Sequence, residues 1–223
     1  MEFVSGGVCA AKGFKAGGLH CGIRKNLKKK DLMMIVADND CTSAAVYTQN
    51  LVCGAPITVT KKHLANGVAR AVICNSGIAN TCSADGIEKA EAMCALAAKA
   101  AGCKEEDVIV ASTGVIGVPV PLEPIESAMD SLKAGLSYDG GTAAAEAIMT
   151  TDTVPKQCAA SFEIGGKKCT VGGMCKGSGM INPNMATMLC FLTTDVNIDA
   201  AALDAALRAA VRDTFNMVYI DGD

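Results

Sequence analysis

Thr170 to Asp195 reads T-V-G-G-M-C-K-G-S-G-M-I-N-P-N-M-A-T-M-L-C-F-L-T-T-D. Its first third is glycine punctuation, Gly172, Gly173, Gly177 and Gly179, around one lysine, Lys176. Asn182-Pro183-Asn184 follows as a turn, since proline fixes its own φ and pushes the residue before it out of the helical region. Ala186-Thr187 comes next, directly before Met188–Leu192, an apolar run of strand length without helical spacing. The layout places a hydroxyl residue at the first position of a buried strand. A Thr so placed ordinarily just begins the strand. It becomes a nucleophile if its own α-amino group is freed, because that amine can then act as its general base.

Outward from this stretch, the chain alternates strands and helices irregularly. Towards the N-terminus, Cys158–Ile164 and Cys169–Gly172 read as a strand pair turned at Gly165-Gly166, and Thr142–Met149 and Pro124–Leu136 read as helices. Asp107–Ser112 is a buried strand ending in Thr113-Gly114. Asp85–Ala101 is an amphipathic helix with Ala90, Met93, Leu96, Ala97 and Ala100 on one face and Gly102 as its stop. Arg70–Asn75 is a continuous apolar run, hence a strand buried on both faces. Met33–Ala37 and Ala44–Thr48 are expected to form a hairpin around Asp38-Asn39-Asp40, and residues 1–30 are Gly-rich and irregular. Towards the C-terminus, Asp199 caps a helix over 200–215 with Leu203, Leu207, Ala210 and Val211 facing inward, and Asn216–Ile220 is a last strand. With no repeat and no linker-like shift in composition, the expectation is one mixed α/β domain over 1–223, helices covering stacked sheets.

Composition narrows the class of function. The chain has 223 residues, half of them apolar, with no Trp, so the core must be built from Ala, Val, Ile, Leu, Met and Cys. A net charge of −3 with interspersed signs gives no footprint for nucleic acid; the cluster K-N-L-K-K-K at 25–30 reads as a solvated turn. Twelve cysteines without a C-x-x-C, and two histidines far apart, His20 and His63, argue against a disulfide framework or a metal site. The cysteines inside apolar runs, Cys74, Cys94 and Cys190, behave as small hydrophobes. No signal peptide and no run of membrane-spanning length is visible, so the expectation is a cytoplasmic protein without membrane partners.

Three segments carry chemistry on their own residues. Thr187 is the candidate nucleophile. Thr113-Gly114 is the candidate oxyanion hole, since the glycine lets a backbone N–H approach a ligand with no Cβ in the way; an ordinary turn is the alternative. Lys176, in its Gly-rich loop, is a candidate ligand for the carboxylate or carbonyl of an amino-acid substrate, against a solvated loop lysine. The segment M-T-T-D-T at 149–153 reads locally as a capped helix end, and Asp152 as a solvated acid without a role.

The run K-G-S-G-M-I-N-P-N-M-A-T-M-L at 176–189 resembles the self-cleavage segment of the ornithine acetyltransferase (bifunctional glutamate N-acetyltransferase) family. F-K-A-G-G-L-H-C-G-I-R at 14–24, T-Q-N and A-P near 48–56, N-S-G-I-A-N at 75–80 and A-S-T-G-V-I-G at 111–117 resemble the same family. The resemblance implies an α/β fold of layered α-β-β-α sandwich type, as in self-processing amidases. It implies self-cleavage between Ala186 and Thr187, with 1–186 corresponding to the family's α chain and 187–223 to the start of its β chain. It implies acetyl transfer from N2-acetylornithine to glutamate through an acetyl-Thr187 in arginine biosynthesis, without metal or organic cofactor, leaving acetyl-CoA open as a second donor. Thr113 and Gly114 would form the oxyanion hole, and Thr150, Lys176 and Thr187 would bind substrate, with Thr151 as runner-up to Thr150. The cleaved chains would assemble as an α/β heterotetramer. Family members run to roughly twice this length, so the resemblance also implies a truncated chain without the later substrate contacts. Two rivals stand beside it: a related N-terminal-nucleophile aminopeptidase or amidase, and an inactive α/β fragment that only binds.

Overall fold

The computed structural model describes residues 1–182, 185 and 188–221. The order of the strands follows from how the apolar runs are buried. In L-M-M-I-V-A at 32–37, Leu32 and Met34 face one way and Met33 and Ile35 the other, and all four are 3% exposed or less. Successive side chains of a strand point to opposite faces, so such a run is stable only if both faces of its sheet are covered. That sheet has the order β2 (Phe14–Leu19), β3 (Leu32–Thr42), β4 (Val68–Ile78), β5 (Val108–Val115). Its first two pairings are antiparallel; β4 and β5 run parallel, joined through a helix.

On one face, α1 (Ala55–His63), α2 (Gly86–Ala101) and α3 (Leu122–Ala134) pack on Leu32, Met34, Ile73 and Val110. On the other, Met33, Ile35, Cys74 and Ala111 meet Met174 of a second sheet and the alanines of α4 (Gly141–Ala147). The second sheet is antiparallel in the order β1 (Glu2–Val4), β6 (Lys156–Ile164), β7 (Lys167–Lys176), β8 (Leu189–Thr194). Each fully buried Leu, Ile, Val or Met contributes about 1.5–3 kcal/mol, so these two interfaces carry the fold. It is the layered α/β sandwich that the resemblance implies. Among the described residues no helix is long and apolar enough to cross a membrane.

Several local expectations are corrected. Asp38-Asn39-Asp40 is no hairpin turn. The partner strand β4 is long enough for β3 to run on past it, with a register shift between Val36 and Cys41, and the three polar residues ride exposed on that bulge. Ala44–Thr48 is therefore not a strand. Residues 1–30 are not irregular throughout, because they contain β1 and β2. The glycines of β2 serve packing: a Cβ on Gly18 would run into the carbonyl of Ala143 on α4. Ala55-Pro56 opens α1, a helix, with proline in its first turn, where no N–H is needed. Asn216–Ile220 forms no strand; a 3-10 turn spans Phe215–Met217, and a backbone bond from Ile220 N to Ile181 O, 2.8 Å, ties down its end. The helix before it, α5 (Ala200–Arg212), has the expected cap, Asp199 Oδ1 accepting from Ala202 N at 3.0 Å. Only Val211 of its expected inner face is buried, and Ala210 is exposed.

Candidate active site

The parallel pair β4–β5 ends side by side at Ser76-Gly77 and Thr113-Gly114. Gly114 has φ +137, and a Cβ there would strike the Gly77 backbone, so only glycine lets these strand ends approach. On the neighbouring strand the Ser76 hydroxyl donates to Ala147 O, 2.5 Å away, and anchors the end of α4. The chain leaving α4 therefore passes the strand ends at once, and Thr150 arrives beside Thr113. From the second sheet, β7 ends at Lys176. Three elements distant in sequence thus bring Thr113, Thr150 and Lys176 together at the carboxyl ends of parallel strands, where open α/β sheets usually hold their ligands.

Lys176 is 8% exposed. Its ammonium donates to Thr150 Oγ1 at 2.7 Å and to Thr113 Oγ1 at 3.5 Å, and lies 4.0 Å from Asp152 Oδ2. Each threonine oxygen accepts from the lysine, so each keeps its own O–H to donate elsewhere. One buried cation thereby polarises two hydroxyl donors that can face developing negative charge. Burial pushes the Lys176 ammonium below its ordinary pKa of 10.5, helped by Lys156 and Arg24; Asp152 and the Cys74 thiol oppose the shift.

Asp152, expected to be a solvated acid without a role, is buried and organises this cluster. Its Oδ1 accepts from Lys156 Nζ at 2.6 Å and Gly177 N at 2.9 Å, and its Oδ2 from Thr150 N at 3.1 Å. One carboxylate so ties the segment carrying Thr150 to the segment carrying Lys176. Burial by itself would raise its pKa. The bonds from Lys156, Gly177 and Thr150 and the charge of Lys176 outweigh burial and hold it at about 2, below the usual 3.8. A local signal existed only for the Thr150 bond, two residues away; the bond to Gly177 crosses the fold. Thr151, the runner-up, turns to Ser178 instead, Oγ1 to Oγ 2.7 Å. Arg24 is a second residue the sequence reading passed over: it donates from a terminal nitrogen to Met149 O, next to Thr150.

Ala186 and Thr187 lie outside the described residues. The strand that follows them does not: β8 starts at Leu189, two residues beyond Thr187, and Leu189 is the register partner of Lys176. Among the described residues no His, Cys, Asp and Glu side chains gather in a group that could hold a metal ion. All twelve cysteines are free.

The profile of the ArgJ family matches residues 15–223. The chain belongs to the ArgJ family. Among its relatives, the Arginine biosynthesis bifunctional protein ArgJ of Symbiobacterium thermophilum is 51% identical over 225 positions, covering 100% of this chain and 56% of that protein. The chain spans about half the length of the curated ArgJ relatives it matches. The crystal structure of ArgJ from Bacillus halodurans superimposes with a TM-score of 0.77 at 40% identity, covering 84% of this chain and 97% of that one. An ornithine acetyltransferase from Mycobacterium tuberculosis, solved in complex with ornithine, gives 0.75 at 34% identity, with 84% and 99% covered.

Proposed function

We propose that this ArgJ-family chain forms the acyl-transfer site of a self-processing amino-acid N-acetyltransferase acting in the cytoplasm in arginine biosynthesis. The observation that carries the reading is the convergence of Thr113, Thr150 and Lys176 at the mouth of β5, opposite the strand that Thr187 precedes. In the first step the Thr187 hydroxyl attacks the Ala186 carbonyl, the acyl group moves from nitrogen to oxygen, and water releases the ester. The freed α-amine of Thr187, with an unperturbed pKa of about 8, can then take the hydroxyl proton as base.

Acetyl passes from N2-acetylornithine to the Thr187 oxygen, ornithine leaves, and the α-amine of glutamate takes the acetyl group in a second attack. Both attacks place negative charge on the acetyl carbonyl oxygen. Thr113 O–H and the Gly114 N–H are the donors assigned to it, with Lys176 polarising Thr113 through its hydrogen bond. Thr150 holds substrate beside them. Acetyl-CoA as a second donor, and an α/β heterotetramer of the chains on either side of the Ala186–Thr187 bond, belong to the same reading. Intact mass spectrometry tests it. Cleavage yields two pieces that meet between Ala186 and Thr187, and N2-acetylornithine then adds one acetyl group to the piece that begins with Thr187. A chain that stays whole, or a second piece that never gains acetyl, overturns the proposal.

A further inference from the structure

We propose that Cys175 and Cys190 are a site of oxidative modification, where a peroxide closes a disulfide between β7 and β8. The pairing is independent of the acetyl-transfer reading. That reading adds one consequence: the Ala186–Thr187 bond lies between the two cysteines in the chain, so the link would join the two pieces of the cleaved protein.

Cys175 and Cys190 stand directly opposite each other in the β7–β8 register, and no other two cysteines do so in the described strands. Two observations fix which kind of antiparallel pair they form. At the far end of the β7–β8 ladder, Asp195 N donates to Thr170 O at 3.4 Å, which makes Thr170 and Asp195 a hydrogen-bonded pair. Hydrogen-bonded and non-hydrogen-bonded pairs alternate along the ladder, and Cys175 lies an odd number of residues further on. On the other side, β6 and β7 are joined through Gly165-Gly166, both at positive φ, and Ile164 opposite Lys167 closes that two-residue turn as a hydrogen-bonded pair. Counting from Lys167, the odd-numbered residues of β7, Cys175 included, turn their N–H and C=O towards β6. Both lines leave Cys175 and Cys190 as a non-hydrogen-bonded pair, the kind with Cα atoms about 4.5 Å apart and side chains closest together. A disulfide needs Cα atoms roughly 4.4–6.8 Å apart. The backbone already meets that requirement.

The pair also faces the right way. Met174 is buried against the first sheet, so Cys175 and Cys190 project to the outer side, where Leu192 and Cys158 are exposed. Both are half-buried free thiols. Burial pushes both up, Cys190 to about 12 with the neighbouring Cys175 adding to the shift; Lys156, opposite Cys175 on β6, acts the other way on Cys175. Cys175 is therefore the sulfur that meets the oxidant. It gives up its proton and attacks one oxygen of hydrogen peroxide; the O–O bond breaks, the departing hydroxide takes that proton as water, and a sulfenic acid remains. The Cys190 sulfur then attacks the sulfenic sulfur, the S–O bond breaks, and a second water leaves with the Cys190 proton. Two thiols lose two electrons, and the peroxide gains them.

The test treats the full-length protein, reduced and then freed of reductant, with hydrogen peroxide and maps its cysteines by peptide mass spectrometry with fragmentation. A Cys175–Cys190 crosslink should form, absent before treatment and lost on adding dithiothreitol. Cys175→Ser and Cys190→Ser should each abolish it, whereas Cys169→Ser, on the same strand but opposite Phe162, should leave it in place. If a serine variant does not fold, the wild-type map decides. In a cleaved protein, the pieces on either side of Ala186–Thr187 should run as one band on a denaturing gel without reductant and as two with it. The inference is overturned if both cysteines stay thiols, if Cys175 ends as a sulfinic acid, or if it pairs with another cysteine. The two readings fail separately: the crosslink in an uncut chain overturns self-cleavage alone, and cut pieces without the crosslink overturn this inference alone.

Discussion

Replacing Asp152 by Asn keeps the side chain's shape and removes its charge. The carboxylate is fully buried, accepts three hydrogen bonds and holds a pKa of about 2 against an ordinary 3.8. At 1.36 kcal/mol per pH unit, that difference corresponds to about 2 kcal/mol of stability at neutral pH. The sign follows from a depressed pKa. The contribution is complete above pH 3.8, the unfolded value, and is lost as pH falls towards about 2, where the folded carboxyl takes its proton. Urea denaturation of wild type and Asp152→Asn at a series of pH values should therefore show a gap of about 2 kcal/mol at pH 7 that narrows between about pH 4 and pH 2. The narrowing must come from the wild type losing stability, since the variant has no carboxyl to titrate at that position. A gap that stays constant down to pH 2 would mean that shape, and not the charge held by Lys156 and Lys176, fixes the site, and the electrostatic account of Asp152 would fail.

Three further outcomes are expected. Thr187→Ala should leave the full-length chain uncut on a denaturing gel, because no hydroxyl remains to attack Ala186, while Thr187→Ser should still cut; a cleaved Ala variant removes Thr187 from the nucleophile role. Thr113→Ala should lower kcat by about a hundredfold or more with a far smaller change in KM, as for other oxyanion donors, and near-normal turnover in steady-state assays would make Thr113 a plain strand residue. Gly114→Ala should destabilise the fold by about 1–3 kcal/mol and cost activity, since its Cβ meets the Gly77 backbone at a positive φ; a thermal melt unchanged from wild type would show that the two strand ends can part without loss.

The site candidates were legible through the family resemblance; read locally, S-T-G is an ordinary turn, M-T-T-D-T a capped helix end and Lys176 a solvated loop lysine. Thr113, Thr150 and Lys176, chosen from S-T-G, M-T-T-D-T and K-G-S-G-M, come together within hydrogen-bond reach across 63 and 26 residues of chain. The buried strands were legible from their own residues: runs such as R-A-V-I-C-N have no polar alternation and fit only a sheet covered on both sides. What stayed hidden was decided by partners that local sequence does not announce. Asp38-Asn39-Asp40 has turn chemistry, yet β4 offers pairing that carries the strand through it. Pro56 hides a helix start behind β-branched residues, Ile57, Thr58, Val59 and Thr60, whose weak helix propensity is overridden once Val59 and Thr60 are buried against the sheet.

Asp152 and Arg24 were missed on the same ground, and their charges explain why the visible residues can work. Lys176 alone in a half-buried pocket would sit next to two more cations, Lys156 and Arg24, with burial driving its proton off. Asp152 supplies the compensating charge from a fully buried position and spends its bonds on Lys156 and on two backbone N–H groups. Its charge, 4.0 Å from the lysine ammonium, opposes the loss of that proton. An amino-acid carboxylate and a developing oxyanion are both negative, and they need separate donors if one is to be held throughout and the other only in the transition state. In the proposed reaction the hydroxyls that accept from Lys176 are the donors for the charge that appears only in the transition state.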